Sequence, residues 1–142
     1  KSVGRNCNLI LGLTPDRDGL LPEPDFERLA EFGSEIRGLF SNPLAETKGV
    51  GETVELTLKQ PAKINHIITM EDIARGERVR EYVVEGLVQG NRWKKLCEGI
   101  SIGHKRIQKF EMTEVKRVRI RFTKSVATPK IRSIAVFNTN GI

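Results

Sequence analysis

Aromatic residues are scarce in this 142-residue chain, at 6% with a single Trp and a single Tyr. Proteins that grip single-stranded nucleic acid need stacking platforms as well as positive charge. The scarcity therefore argues against that class even though the net charge is +6. Only two histidines, His66 and His104, and two cysteines, Cys7 and Cys97, are present, and none lies at the short spacings of a zinc site. No metal and no cofactor is expected. Nor is a disulfide, because Cys97 ends an apolar strand pattern begun at Trp93 and reads as a buried free thiol. No apolar run approaches the roughly 20 residues that span a bilayer. No Ser stands between glycines as in a nucleophile elbow, and no glycine-rich loop precedes a Lys-Ser/Thr pair. On its own residues the chain shows no catalytic apparatus. There is no initiator Met and no signal peptide, so a chain opening on Lys1-Ser2-Val3-Gly4 reads as a fragment or mature segment.

What is there is β-patterning. In the stretch 116–122, Val118, Ile120 and Phe122 alternate with Arg117, Arg119 and Arg121, the period of a strand with one face in the core and one in water. Seven runs of this kind, at 53–58, 63–70, 80–88, 92–97, 104–110, 115–124 and 131–137, are separated by Gly, Pro or charged turns. A lone strand cannot bury such a face, so the pattern predicts a mainly β, antiparallel sandwich with Trp93, Phe110, Phe122 and Phe137 as core anchors. His66 stands in for an apolar residue in the run 64–68 and reads as a strand histidine with a satisfied hydrogen bond.

The first 43 residues do not share this pattern. Residues 8–13 read as a short parallel strand buried on both faces, with Leu9, Ile10, Leu11 and Leu13 apolar. A Pro- and Gly-containing turn over 14–19 follows. Pro24 and the acidic first turn (Asp25, Glu27) then open a helix with one stripe of Phe26, Leu29, Ala30, Gly33, Ile36 and Arg37, ended by Gly38. This is a β-loop-α unit. Its apolar surface predicts that the helix packs over the sandwich and that the strand is disordered, paired by another chain or re-paired on a sheet edge. Ser41-Asn42-Pro43 marks a boundary between domains 1–43 and 44–142. Charge divides there as well, with a net of −2 before it and +8 after it. The basic residues of the second part are interleaved with Glu71, Asp72, Glu77, Glu81 and Glu85, which describes a solvated face and not a nucleic-acid site.

Two carboxylate pairs, Asp16/Asp18 and Glu71/Asp72, read first as turn residues. Glycoside hydrolysis needs two carboxyls about 5–9.5 Å apart across a sugar, which neighbours in one turn rarely provide. The loop 71–78 is nonetheless the most ligand-like surface. Glu71, Asp72, Arg75 and Arg78 are candidate sugar-binding residues, although the loop has no aromatic for a sugar face.

Two stretches resemble the C-terminal end of the family 29 glycoside hydrolases, the α-L-fucosidases. The run Asn8-Leu9-Ile10-Leu11-Gly12-Leu13-Thr14-Pro15-Asp16-Arg17-Asp18-Gly19-Leu20, with Arg28-Leu29 and Phe32-Gly33, resembles the last strand, loop and helix of that family's (β/α)8 barrel. Glu71-Asp72-Ile73, Gly76-Glu77-Arg78-Val79, Trp93, the run from Ile102 to Ile107, Thr123-Lys124-Ser125 and Pro129 resemble its C-terminal sandwich, of the discoidin or coagulation-factor 5/8 type C kind. The resemblance implies a galactose-binding-domain-like jelly roll after a β-loop-α barrel remnant. It implies a role as the non-catalytic accessory part of a retaining enzyme acting on α-linked fucose in glycans, with the catalytic residues N-terminal to Lys1. Asp16, Arg17 and Asp18 would lie on the barrel's active-site face. The implied partners are the protein's own barrel and, through it, a fucosylated glycan; relatives are secreted, periplasmic or lysosomal. The alternative is a free-standing carbohydrate-binding module using the 71–78 loop. Between Lys48 and Thr53, where many relatives carry a long insert, this chain has only Gly49-Val50-Gly51-Glu52, which argues against a calcium site.

Overall fold

The computed structural model describes residues 4–7 and 9–139. Within them, helix α1 (Glu23–Phe40) precedes six strands: β1 (Ala45–Val50), β2 (Thr53–Glu71), β3 (Val79–Val88), β4 (Arg92–Gly99), β5 (Arg106–Ser125) and β6 (Lys130–Phe137). Every strand pairing is antiparallel, and the order is β1-β6-β2-β5-β3-β4 in one sheet. The alternation in 116–122 holds: Val118, Ile120 and Phe122 are buried while Arg117, Arg119 and Arg121 face outward.

That single sheet makes a two-layered core. Val79, Tyr82 and Val84 of β3 share one core with Ile131, Ile134 and Val136 of β6, although β2 and β5 lie between those strands. Three strand spacings in a flat sheet amount to about 14 Å, too far for side chains to share a core. The sheet therefore folds over on itself. The second half of β2 pairs with β6 and the first half of β5, and the second half of β5 pairs with β3 and the first half of β2.

Both long strands were expected as two runs each. In β2 the register jumps between Thr57 and Ala62, so that residues 58–61 form a bulge opposite Lys116, with Leu58 still in the core and 59–61 exposed. Pro61 sits in this bulge, where a residue without an N–H leaves no gap in the ladder. A second jump, between Ile64 and His66, leaves residues 110–112 of β5 as the longer side. Strand β1 was not expected. Its inward positions are Ala45, Thr47 and Gly49, too small to give an apolar signal. Gly49 is small for a reason: a Cβ there would lie 3.0 Å from the Val54 methyls.

The N-terminal part departs further from expectation. Asn8 lies outside the described residues, and 9–13 form no ladder, with Ile10 90% exposed. An apolar parallel strand with no parallel neighbour has nothing to bond to. The helix runs past Gly38 to Phe40, and the Ser41 N–H caps it by donating to the Arg37 carbonyl. It has no buried residue and does not cover the sandwich; Phe26 and Phe32 stay exposed. Its anchor is Phe40, which meets Phe137 edge-on at 5.3 Å and His66 at 5.8 Å, beside Ile68, Met70 and Ile107. The barrel remnant inferred from the resemblance is thus not seen as a closed unit.

Ile120 is fully buried where the two layers meet. Replacing it with Ala is expected to cost about 2–5 kcal/mol by chemical denaturation. A loss below about 1 kcal/mol would show that the layers do not close over it.

Candidate functional site

The 71–78 loop is held mainly by its own candidate residues. Glu71 ends β2 with its side chain turned inward and 1% exposed. Its Oε1 accepts from the Arg78 N–H at 2.5 Å and the Val79 N–H at 3.1 Å, tying the end of the loop to its start. Oε2 is buried with no hydrogen-bond partner among the described residues. The Glu71 N–H donates to the Gly103 carbonyl, and the Asp72 N–H to the Lys130 carbonyl. Asp72 Oδ1 accepts from the Ala74 N–H at 3.2 Å, an Asx turn, and the Gly76 N–H donates to the Ile73 carbonyl. Arg78 Nη1 donates to the Thr128 carbonyl at 2.9 Å. Glu71 therefore presents no carboxylate to a ligand, and Arg78 is spent on the neighbouring loop. Asp72 and Arg75 remain exposed.

Asp16, Arg17 and Asp18 form a separate turn. Asp16 Oδ1 accepts from the N–H groups of Asp18 and Leu20, both at 2.9 Å, and the Asp16 N–H donates to the Leu20 carbonyl. Gly19 closes it at φ +79°, a conformation that glycine adopts without strain. All three side chains are exposed.

His66 bears out its reading as a strand histidine with a hydrogen bond, while Cys97, read as a buried thiol, is only half-buried. His66 Nδ1 lies 2.9 Å from Thr139 Oγ1 and 3.1 Å from Asn65 Oδ1. Burial, and then the nearby Lys109 charge, lower its pKa below the usual 6.5. Cys97 is a half-buried free thiol, and burial raises its pKa to about 12. Among the described residues no group of three or more His, Cys, Asp or Glu could hold a metal ion.

The sequence did not reveal how the outer face is neutralised. Glu85 Oε2 accepts from Arg119 Nε at 2.7 Å and Arg121 Nε at 2.8 Å. The Arg119 guanidinium also lies 4.0 Å over the Trp93 ring, so Trp93 is half-buried beneath a cation and not in the interior. Arg117 reaches Glu55 at 3.9 Å. The register that sets Glu85 opposite Arg119 was the missing signal.

A groove of about 500 Å³ runs between residues 9–11 and α1, lined by Leu9, Leu11, Leu29 and Phe32 with Arg28, Glu31 and Glu35 at its rim. Arg28 and Glu31 pair at 2.6 Å across an exposed helix face.

Two outcomes follow. Glu71→Ala strands two backbone N–H groups, one of them fully buried, and is expected to cost about 1–3 kcal/mol by denaturation; no loss would mean the loop closes without it. The bond from Arg121 lowers the Glu85 pKa below its usual 4.5; burial opposes this and Arg119 adds to it. A lowered carboxylate contributes stability that is complete above its unfolded value and is lost as pH falls through the folded one. Glu85→Gln is therefore expected to flatten the fall in stability below about pH 4.5. An unchanged pH profile would show that the cluster is not coupled to folding.

No family model matches the chain. The rice (Oryza sativa subsp. japonica) protein named "Putative alpha-L-fucosidase 1" is 30% identical over 96% of this chain and 33% of its own length. That alignment spans 173 positions, so the rice protein carries insertions absent here. A Bacteroides thetaiotaomicron structure named in the same terms is 44% identical, with a TM-score of 0.93 over 99% of this chain and 32% of that one. A glycoside hydrolase 29 family member from an unknown rumen bacterium is 26% identical, with a TM-score of 0.82 over 100% of this chain and 27% of that one. The chain spans no more than a third of these proteins. It is accordingly homologous, over nearly its whole length, to one region of the α-L-fucosidases of glycoside hydrolase family 29.

Proposed function

We propose that this chain is the non-catalytic accessory part of an α-L-fucosidase that cleaves α-linked L-fucose from glycans outside the cytosol. In this reading the sandwich supports the catalytic barrel through the surface of residues 9–32. The observation that carries it is the apolar stretch the sandwich leaves uncovered. Leu9, Ile10, Leu11, Leu13, Leu20, Leu21, Phe26 and Phe32 are all exposed. Leu9, Leu11 and Phe32 line one groove with Leu29, and exposed apolar surface gathered in this way marks an interaction site. Each side chain is worth roughly 1.5–3 kcal/mol if buried. The relatives' additional length supplies a body to cover it.

The turn formed by Asp16, Arg17 and Asp18 would then lie beside that body. In the 71–78 loop, Asp72 and Arg75 are the exposed groups left for a sugar, with Glu71 and Arg78 already engaged. This favours support over glycan capture as the role of the sandwich.

The isolated chain is expected to give no turnover of an aryl α-L-fucoside; turnover above background would overturn the reading. Titration with fucosylated oligosaccharides separates the alternative, since saturable binding that is lost on Arg75→Ala would make the sandwich a carbohydrate-binding module. The surface itself is tested by Phe32→Ser. Its stability effect is expected to stay within about 0.5 kcal/mol in the isolated chain, where Phe32 is exposed. In the parent-length protein the same change is expected to cost about 2–4 kcal/mol. Equal effects in both would remove the case for a covered face.

A further inference from the structure

We propose that Asn6 is the positioning residue of a latch that fastens the segment leading into α1 to the sandwich. With Phe40 it holds the uncovered apolar face at both ends. The purpose assigned to the latch rests on the reading of that face as a joint; the contacts do not.

Asn6 gives its backbone N–H and both side-chain polar atoms to the sandwich. Its N–H donates to the Lys105 carbonyl at 2.9 Å, its Oδ1 accepts from the His104 N–H at 2.6 Å, and its Nδ2 donates to Glu77 Oε1 at 2.7 Å. An Asn in a turn ordinarily bonds its own neighbours. Here every partner is 71 residues or more away along the chain or lies on the same distant loop. On one side of it, Arg5 bridges Arg106 in antiparallel fashion, and the Gly4 carbonyl accepts from the Ile107 N–H at 2.8 Å. The segment thus caps the first residues of β5, which lack a β3 partner there.

The slot is shaped from both walls. Asn6 has φ +58°, a left-handed conformation that Asn tolerates better than most residues. Gly4, at φ +81°, lies so close to Ile107 that any Cβ would collide with that side chain. Gly103, at φ +62°, stands against Asn6 in the same way. Ile107 belongs to the small cluster that also receives Phe40. The two ends of the 4–40 segment are therefore seated on adjoining parts of one face, with the helix and its groove spanning between them.

Hydrogen exchange on the 142-residue chain tests the latch through the amides of Asn6, His104 and Ile107. In the unaltered chain they are expected to exchange at least 100-fold more slowly than open chain. Asn6→Asp sets a carboxylate against Glu77 and is expected to speed all three at least tenfold, with the β2–β5 amides unchanged. Adding Glu77→Gln restores a donor opposite the new acceptor and is expected to return the slow rates, a rescue that general destabilisation would not produce. Asn6→Gly, which keeps the left-handed backbone and removes the side chain, should exchange like Asn6→Asp. Open-chain rates in the unaltered protein, no change in Asn6→Asp, or no rescue by Glu77→Gln would each overturn the proposal. None of these readouts depends on fucosidase activity, so the latch and the accessory role fail separately.

Discussion

Two strands stay paired with each other as both cross from one layer to the other, and the rest of the sandwich depends on how they do it. β2 and β5 meet once from Thr53 to Thr57 and again from Ala62 to Thr69, with four residues of β2 left out of the β5 pairing between, Leu58 among them still in the core. Bulges bend a strand and sharpen its twist. Without that bend, the apolar faces of β3 and β6 would look out from the same side of an open sheet, with no second layer to cover them. With it, Ile64 and Ile67 from one half and Val54 and Leu56 from the other reach one interior. Pro61 suits the bulge because it has no N–H to lose, and the buried Val115 sits across from the point where pairing resumes.

Much of this was legible in the residues, and the failures have physical causes. The inward alternation of β3, β5 and β6 is carried by Val, Ile and Phe, which declare themselves. β1 is carried by Ala, Thr and Gly, which do not; at Gly49 a Cβ would press on the Val54 methyls. Pro61 looked like the end of one strand and the start of another, since a bulge and a break share the same local chemistry. The run 9–13 has the composition of a buried parallel strand, but burial needs neighbours that the described residues do not supply.

The candidate site was legible as a loop and not as a set of roles. Glu71 looked like surface charge next to Asp72, yet one of the pair is buried and the other exposed. What decides it is the return of Arg78 and Val79 to the same carboxylate oxygen, a contact that no local pattern encodes. The three outward arginines of β5 were correctly placed, but their charge is largely answered within the sheet by Glu85 and Glu55. Asn6 drew no notice because its partners come from loops that begin some seventy residues later.

The pairing scheme also sets a timetable. Thr53 finds its partner in Arg121 and His66 in Phe137, so β2, at the centre of the sheet, has no completed ladder until the C-terminal strand exists. Loop-closure entropy must be met before such distant contacts stabilise anything. On a ribosome the sandwich therefore closes only after the last strand has emerged. Whatever precedes this region in a longer polypeptide has by then been made, and meets a joint that arrives late.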